Sequence, residues 1–218
     1  MTETTLIRRP SGEPAPELTD YRVVHRAMTV DLHRLATAAA ELVEHPHPAR
    51  MAALRHYLRA VSSEIASHHR VEDEHVWPFL AAVAGAHTAL SALTDDHDQL
   101  DPLLHRAAVL AARREATPEL VMVLREVSDL LVRHIATEER DVFPLITAFV
   151  RVGDYQRLQR HFQADLSMSL MPFLLPWTFR HASEQERAVL LAHAGWPARV
   201  LLRIFEPRFL AREELLFR

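Results

Sequence analysis

Residues 68–80 read HHRVEDEHVWPFL, and the pattern returns at residues 134–146 as HIATEERDVFPLI. The two stretches align without gaps. Each has a histidine, a glutamate four residues later, an acid after that glutamate, and an aromatic residue before a proline. Residues four apart lie on the same face of an α-helix. The repeat therefore predicts two related half-sites, each with a His-x-x-x-Glu pair, that face each other in a helical fold.

Four segments around these stretches show the apolar period of an α-helix, at about residues 20–44, 49–75, 88–115 and 117–142. Prolines mark their ends: Pro46, Pro78 and Pro144 follow the first, second and fourth segments, and Pro118 begins the fourth. Long helices with short connections pack as antiparallel neighbours. The sequence predicts an all-α fold, an up-down-up-down four-helix bundle with a C-terminal helical extension.

The predicted domain layout has three parts. A flexible N-terminal tail covers residues 1–19, the bundle covers residues 20–148, and the helical extension covers residues 149–218. The repeat lies toward the end of the bundle from which the extension departs. We therefore interpret the extension as a lid over that end or as the interface of a homodimer.

Composition excludes several classes of function. The 218 residues include 15 histidines, four glycines and no cysteine, which excludes disulfides, thiolate metal sites and a cysteine nucleophile. A net charge of −4 gives no basic surface of the kind that nucleic acid requires. No stretch has the layout of a signal peptide or the length of a membrane span. We expect a cytoplasmic protein that does not bind nucleic acid and has no membrane span.

Each predicted helix has an apolar stripe interrupted by a small polar patch that contains one histidine. Alternating steps of three and four residues give the patch members as His25, His68, Glu72, His97, His134 and Glu138. A carboxylate buried among leucines costs several kcal/mol unless it is paired or binds a metal, and the chain has no lysine. Four imidazoles and two carboxylates suit two ions. Mixed nitrogen and oxygen ligands suit iron, with manganese or zinc as alternatives.

Height along the bundle selects between two histidines of the first helix. His25 and His68 each lie about 21 residues from the turn at Pro46, so antiparallel packing places them level. His33 is one residue out of phase and roughly 12 Å nearer the turn at 1.5 Å per residue. We therefore predict His25 as the site residue. One alternative in the second helix stays open, because His69 and Asp73 repeat the four-residue spacing one position out of phase.

On these residues, over roughly positions 20–148, the chain resembles the hemerythrin-like, HHE cation-binding family of non-haem di-iron proteins. The resemblance implies two iron ions, Fe²⁺ or Fe³⁺, with bridging carboxylates or an oxo or hydroxo bridge. Glu72 and Glu138 are implied as bridges and the histidines as terminal ligands. The chain departs from the oxygen-carrying pattern where it reads His97-x-x-x-Asp101 in place of a second histidine. Asp101 is thus a seventh candidate ligand, a hydrogen-bond partner of a histidine, or an exposed residue before Pro102.

The resemblance implies a small diatomic ligand or peroxide as the partner of the centre. One interpretation is binding of O₂ or NO, or reaction with peroxide. The alternatives are a di-iron oxidase or oxygenase that acts on a small organic substrate, and an iron-handling protein. The sequence leaves binding and catalysis open.

Overall fold

The computed structural model describes residues 8–218, apart from the side chains of residues 87–89. The helices are α1 (Thr19–Glu44), α2 (Pro48–Val71), α3 (Trp77–Ala84), α4 (His87–Ala111), α5 (Pro118–Asp141), α6 (Phe143–Phe149), α7 (Val152–Asp165), α8 (Met171–Arg180) and α9 (Glu184–Phe217). A π-helical turn, Glu72–Val76, joins α2 to α3, and a 3-10 turn, Met168–Leu170, precedes α8. These residues form no strand, and the predicted all-α fold is confirmed.

Helices α1, α2, α4 and α5 form the bundle. Helix α1 packs against α2 and α5, and α4 packs against the same two helices. Side-chain caps begin two of the four: His47 Nδ1 accepts a hydrogen bond from the Arg50 N–H at 3.2 Å, and Thr117 Oγ1 accepts one from the Leu120 N–H at 3.2 Å. Such caps satisfy amide donors that a helix start leaves free. They allow the chain to reverse within a few residues.

The second bundle helix does not end at His75, where the proline pattern predicted its end. The Trp77 N–H donates to the Glu72 carbonyl, a bond one residue longer than in an α-helix, and the chain continues helically to Ala84. A proline normally stops a helix because it lacks the N–H that the regular ladder uses. Here the π-turn interrupts that ladder just before Pro78, so the helix continues. Such turns occur often at functional sites, and this one begins at Glu72.

Two apolar clusters fill the interior of the bundle. Along each bundle helix, the predicted polar residues fall between members of one cluster and members of the other. On α1, for example, His25 lies between Tyr21 of the smaller cluster and Met28 of the larger. The smaller cluster also contains residues of α3, α6 and α7, including Trp77 and Phe143. The polar layer is therefore enclosed by apolar side chains on both sides.

The C-terminal extension packs along α1 and α2. Phe173, Leu174 and Trp177 of α8, with Phe209 and Leu216 of α9, belong to the larger apolar cluster of the bundle. Trp177 is fully buried. The extension is therefore part of the hydrophobic core as well as a cover for the bundle.

Helix α9 bends at Gly195, where φ is 73° and ψ is −170°, a region that favours glycine. Among the described residues, α9 is the one helix long and apolar enough to cross a membrane, with a mean hydropathy of 1.3 in its most apolar window. Length and composition are weak evidence for a span, and Pro197 and Pro207 interrupt the helix. The absence of a membrane span stays a prediction.

The described part of the N-terminal segment lies against α6. The Arg9 N–H donates to the Ala148 carbonyl at 3.1 Å, Arg9 Nε donates to the Thr147 carbonyl at 3.2 Å, and Leu18 is buried in the smaller cluster. Residues 1–7 of the predicted flexible tail lie outside the described residues.

Candidate metal centre

Four histidines meet in two pairs in the layer between the clusters. The Nε2 atoms of His25 and His68 lie 3.2 Å apart, as do those of His97 and His134. All four side chains are buried. Two bundle helices thus contribute each pair, as the predicted heights required. His33, the rejected histidine of α1, is exposed on the bundle surface.

Glu72 connects the two pairs. Its Oε1 lies 2.8 Å from Nε2 of His68 and its Oε2 lies 3.5 Å from Nε2 of His97, one histidine of each pair. Its carboxylate is completely buried. Ligand atoms of Glu72, His69, His97 and His134 all lie within 4.8 Å of one another. These four residues, which we call group A, could hold one metal ion.

Glu138 also lies near one histidine of each pair. Its Oε2 lies 3.4 Å from Nε2 of His25 and 3.7 Å from Nε2 of His134. Ligand atoms of Glu138, His25, His68 and Glu72 also lie within 4.8 Å of one another, and we call these residues group B. Glu72 belongs to both groups. Each group could hold an ion, and the two groups are adjacent because they share this carboxylate.

Group A contains His69, which the sequence offered only as an alternative. Its ring stacks on His97 with centroids 4.0 Å apart, and its buried Nδ1 has no hydrogen-bond partner among the described residues. Asp73, its predicted companion, lies outside both groups. Asp101 also lies outside both groups, because its side chain is exposed on α4. The missed signal is the three-residue step from His69 to Glu72, since residues three apart are also helix neighbours.

Three carboxylates outside groups A and B lie close to the Nδ1 atoms of three histidines, the ring nitrogens on the other side from Nε2. Two of these contacts are hydrogen bonds, between His25 Nδ1 and Glu139 (3.1 Å) and between His97 Nδ1 and Asp73 (2.9 Å). Asp96 lies 3.4 Å from Nδ1 of His134 without a hydrogen bond. Asp73 and Glu139 are the acids that follow the two glutamates of the sequence repeat. A carboxylate on Nδ1 orients the ring and keeps Nε2 free as the ligand atom. Each half of the repeat therefore carries a His-x-x-x-Glu pair of candidate ligands and one acid that contacts a histidine Nδ1, and the first half adds His69.

A family model, the hemerythrin HHE cation-binding domain, matches residues 18–146 of this chain. The chain belongs to the hemerythrin HHE family. The predicted resemblance is thereby confirmed. A BRUTUS-like zinc finger protein of Arabidopsis thaliana is 26% identical over 172 residues, which cover 74% of this chain and 13% of that protein. The chain thus spans a small part of this relative. No solved structure matches the chain.

Tyr21 is a site residue of this HHE domain that the sequence placed only in the apolar stripe of α1. Its hydroxyl donates a hydrogen bond to Glu72 Oε1. Burial, together with the carboxylates of Glu138 and Glu72, raises the pKa of Tyr21 well above its usual value. The phenol therefore keeps its proton and acts as a donor. The signal was available, because Tyr21 and Glu72 lie 25 and 26 residues from Pro46 and are therefore level by the argument that paired His25 with His68.

Burial favours the neutral, metal-binding form of three imidazoles of the HHE centre, those of His25, His69 and His134. Burial lowers the pKa of His134 to about 4 and also lowers those of His25 and His69. Burial acts in the same direction on His68, but Glu72 outweighs it and raises the pKa of that residue. A neutral imidazole offers a lone pair at Nε2 or Nδ1.

The two buried carboxylates of the centre lack hydrogen-bond partners, within the described part of the chain, for three of their four oxygens. Burial and the neighbouring Glu72 raise the pKa of Glu138 well above its usual value, whereas His68, acting against burial, holds that of Glu72 well below. Both oxygens of Glu138 and Oε2 of Glu72 are buried without a hydrogen-bond partner among the described residues. Such groups cost several kcal/mol unless paired or bound to a metal. The donor set therefore fits a bound cation.

Proposed function

We propose that this chain is a non-haem di-iron protein whose centre binds or reacts with O₂, NO or peroxide. The observation that carries the proposal is the pair of four-residue ligand groups that share Glu72. A single ion could not use both groups fully. Two adjacent ions would use all the buried donors.

Group A would hold one ion through three imidazoles and Glu72, and group B would hold the other through two imidazoles and two carboxylates. The set thus contains five imidazoles, two carboxylates and no sulfur ligand. Mixed nitrogen and oxygen ligands of this kind suit iron, while manganese and zinc are compatible with ligand type alone. The cation-binding description of the family supports a metal at this place.

A pair of iron ions, when bound, would supply electrons and open coordination positions for small ligands. The protein's own groups prepare the site. Glu139 and Asp73 hold the rings of His25 and His97 by their Nδ1 atoms. Tyr21 holds a proton on its hydroxyl next to Glu72. The two apolar clusters limit access of water, which strengthens electrostatic interactions inside the layer.

Rapid mixing of the iron-loaded, reduced protein with each small molecule tests this proposal. Addition of O₂ or peroxide is expected to produce near-ultraviolet charge-transfer absorption of oxidised iron, and NO a different spectrum. Release of O₂ from peroxide over many turnovers would indicate catalysis, and a reversible change without turnover would indicate binding. The matched control is His33→Ala, which changes an exposed histidine of α1 and should behave as the wild type. Iron-loaded protein whose spectrum changes with none of the three molecules contradicts the proposal.

A further inference from the structure

The C-terminal extension and the bundle together line a partly open cavity of about 200 Å³. Phe162 of α7 and Leu166, which directly follows that helix, line its wall, and α8 contributes Leu174 and Leu175. Most of the surface that the wall presents is apolar, and polar side chains, among them Glu64 and Gln159, contribute the rest. The cavity therefore exists because the chain continues beyond the four-helix bundle.

The cavity borders the metal centre directly. Tyr21 and His68 line it, and both also belong to the centre, Tyr21 as the donor to Glu72 and His68 as a member of group B. The ring of Phe162 lies 5.1 Å from that of His68 and 5.7 Å from that of Tyr21, between centroids. A molecule in the cavity would contact two side chains of the centre.

Size and polarity define the class of molecule that fits. An apolar protein cavity of about 150 Å³ can hold benzene, so this one has room for a ring with one or two small substituents. Glu64 lines the cavity, and its Oε2 is buried without a hydrogen-bond partner among the described residues. Asp20 also lines it, but already accepts hydrogen bonds from Gln159 and from the Tyr21 N–H. Glu64 is therefore the acceptor available to a ligand.

We propose that this cavity binds a small apolar organic molecule whose single hydroxyl or amino group donates a hydrogen bond to Glu64. The protein alone forms the cavity, so binding does not depend on the di-iron centre proposed above. Occupancy would place the bound molecule beside Tyr21 and His68.

Titration calorimetry of the full-length protein with 4-methylphenol and p-xylene tests the proposal. The two probes have similar shapes, but 4-methylphenol carries a hydroxyl where p-xylene carries a methyl group. We expect a dissociation constant about tenfold lower for 4-methylphenol, since a hydrogen bond that satisfies a buried group contributes on this scale. Glu64→Leu should remove the preference while p-xylene still binds.

A second pair of variants locates the bound molecule. Leu175→Trp fills the cavity and should abolish binding of both probes, whereas Val109→Trp adds the same ring at an exposed position of α4 and should leave binding unchanged. Equal affinities of the two probes for the wild type, no binding of either, or binding that survives Leu175→Trp would overturn the proposal. Iron content measured on the same samples reports separately on the di-iron centre.

Discussion

At the residue scale, the two halves of the sequence repeat differ at one position of the centre. His68 and His134 correspond, as do Glu72 and Glu138, but His69 corresponds to Ile135. Group A therefore has a third imidazole that group B lacks. Group B instead contains both carboxylates. The two predicted ions would thus have different ligand sets, which makes them separable by mutation.

The variant His69→Ala should lower the iron content from about two ions per chain to about one. His69 belongs only to group A, and its loss leaves that ion with three protein ligands. Metal analysis by mass spectrometry measures the change, with His33→Ala as the matched control that retains both ions. Two tightly bound irons in His69→Ala would show that His69 is not a ligand.

The variant Asp73→Asn should weaken iron binding about 10- to 100-fold, the usual effect of removing a carboxylate that orients a ligating histidine. Asp73 accepts the hydrogen bond from His97 Nδ1 at 2.9 Å when that nitrogen carries the proton. Competition with a chelator measures the affinity. Asp101→Asn is the matched control, since Asp101 is exposed one turn after His97. Equal effects of the two variants would argue against an orienting role for Asp73.

The sequence predicted which side chains meet wherever they share one helix stripe or one height. His25, His68, Glu72, His97, His134 and Glu138 all lie in the buried layer for this reason. His69 emerged from the sequence only as an alternative, because one stripe of α2 was followed through His68 and the three-residue step from His69 to Glu72 was not. The sequence placed Tyr21 only in the apolar stripe, because the height comparison was applied to the histidines alone. Asp101 followed only from its four-residue spacing from His97, and its side chain instead faces solvent.

At the element scale, the π-turn Glu72–Val76 allows the second bundle helix to continue into α3. It adds a residue between Glu72, which faces the centre, and Trp77, which is buried in the smaller cluster. The sequence pattern indicated an end at this point because Pro78 breaks the regular hydrogen bonding. The sequence pattern could not distinguish the end of a helix from a π-turn. Either structure accommodates a proline that has no N–H to donate.

Deletion of Glu74, the exposed middle residue of this turn, should lower the free energy of unfolding by about 3 kcal/mol or more. Deletion would restore a regular α-helical ladder through Pro78, which has no N–H for that ladder and whose ring would clash with the carbonyl four residues earlier, at a cost of about 3 kcal/mol or more. Urea denaturation measures the change. The substitution Glu74→Ala, which keeps the chain length, should change the unfolding free energy by less than about 0.5 kcal/mol. A deletion variant as stable as the substituted one would contradict this account.

At the scale of the whole molecule, the buried carboxylate of Asp31 forms hydrogen bonds that link the bundle to the extension. Asp31 of α1 accepts hydrogen bonds from Tyr57 Oη of α2 (2.5 Å), Trp177 Nε1 of α8 (2.8 Å) and Arg34 (2.8 Å), and lies 3.0 Å from Nε2 of His181. The carboxylate is completely buried. The sequence predicted a helical extension, but not this contact, because no spacing relates Asp31 to Trp177.

The variant Asp31→Asn should lower the free energy of unfolding at pH 7 by about 3 kcal/mol, the order expected when one partner of a buried ionic network is lost. Asparagine turns an amide N–H₂ toward groups that themselves donate hydrogen bonds. Thermal or urea unfolding measures the loss. Asp129→Asn, at an exposed position of α5, is the control and should be nearly neutral. An equally small effect at both positions would mean that the Asp31 network contributes little to the attachment of the extension.

The same carboxylate predicts a pH dependence. Burial tends to raise the pKa of Asp31, but His181, Tyr57 and Arg34 outweigh burial and hold it below its usual value. A carboxyl with a lowered folded-state pKa contributes stability above its unfolded pKa, about 3.9, and loses it as the pH falls through the folded value. The stability difference between wild type and Asp31→Asn should therefore be complete at pH 6–7 and shrink below about pH 4. A difference that grows toward low pH would contradict this sign.

The number and identity of the metal ions in the purified protein test the central claim most directly. The claim is that groups A and B form two adjacent ion sites that share Glu72. Elemental analysis against protein concentration should give about two irons per chain in the wild type, and Glu72→Ala should lose both. One ion per chain, zinc in place of iron, or no metal would contradict the di-iron account.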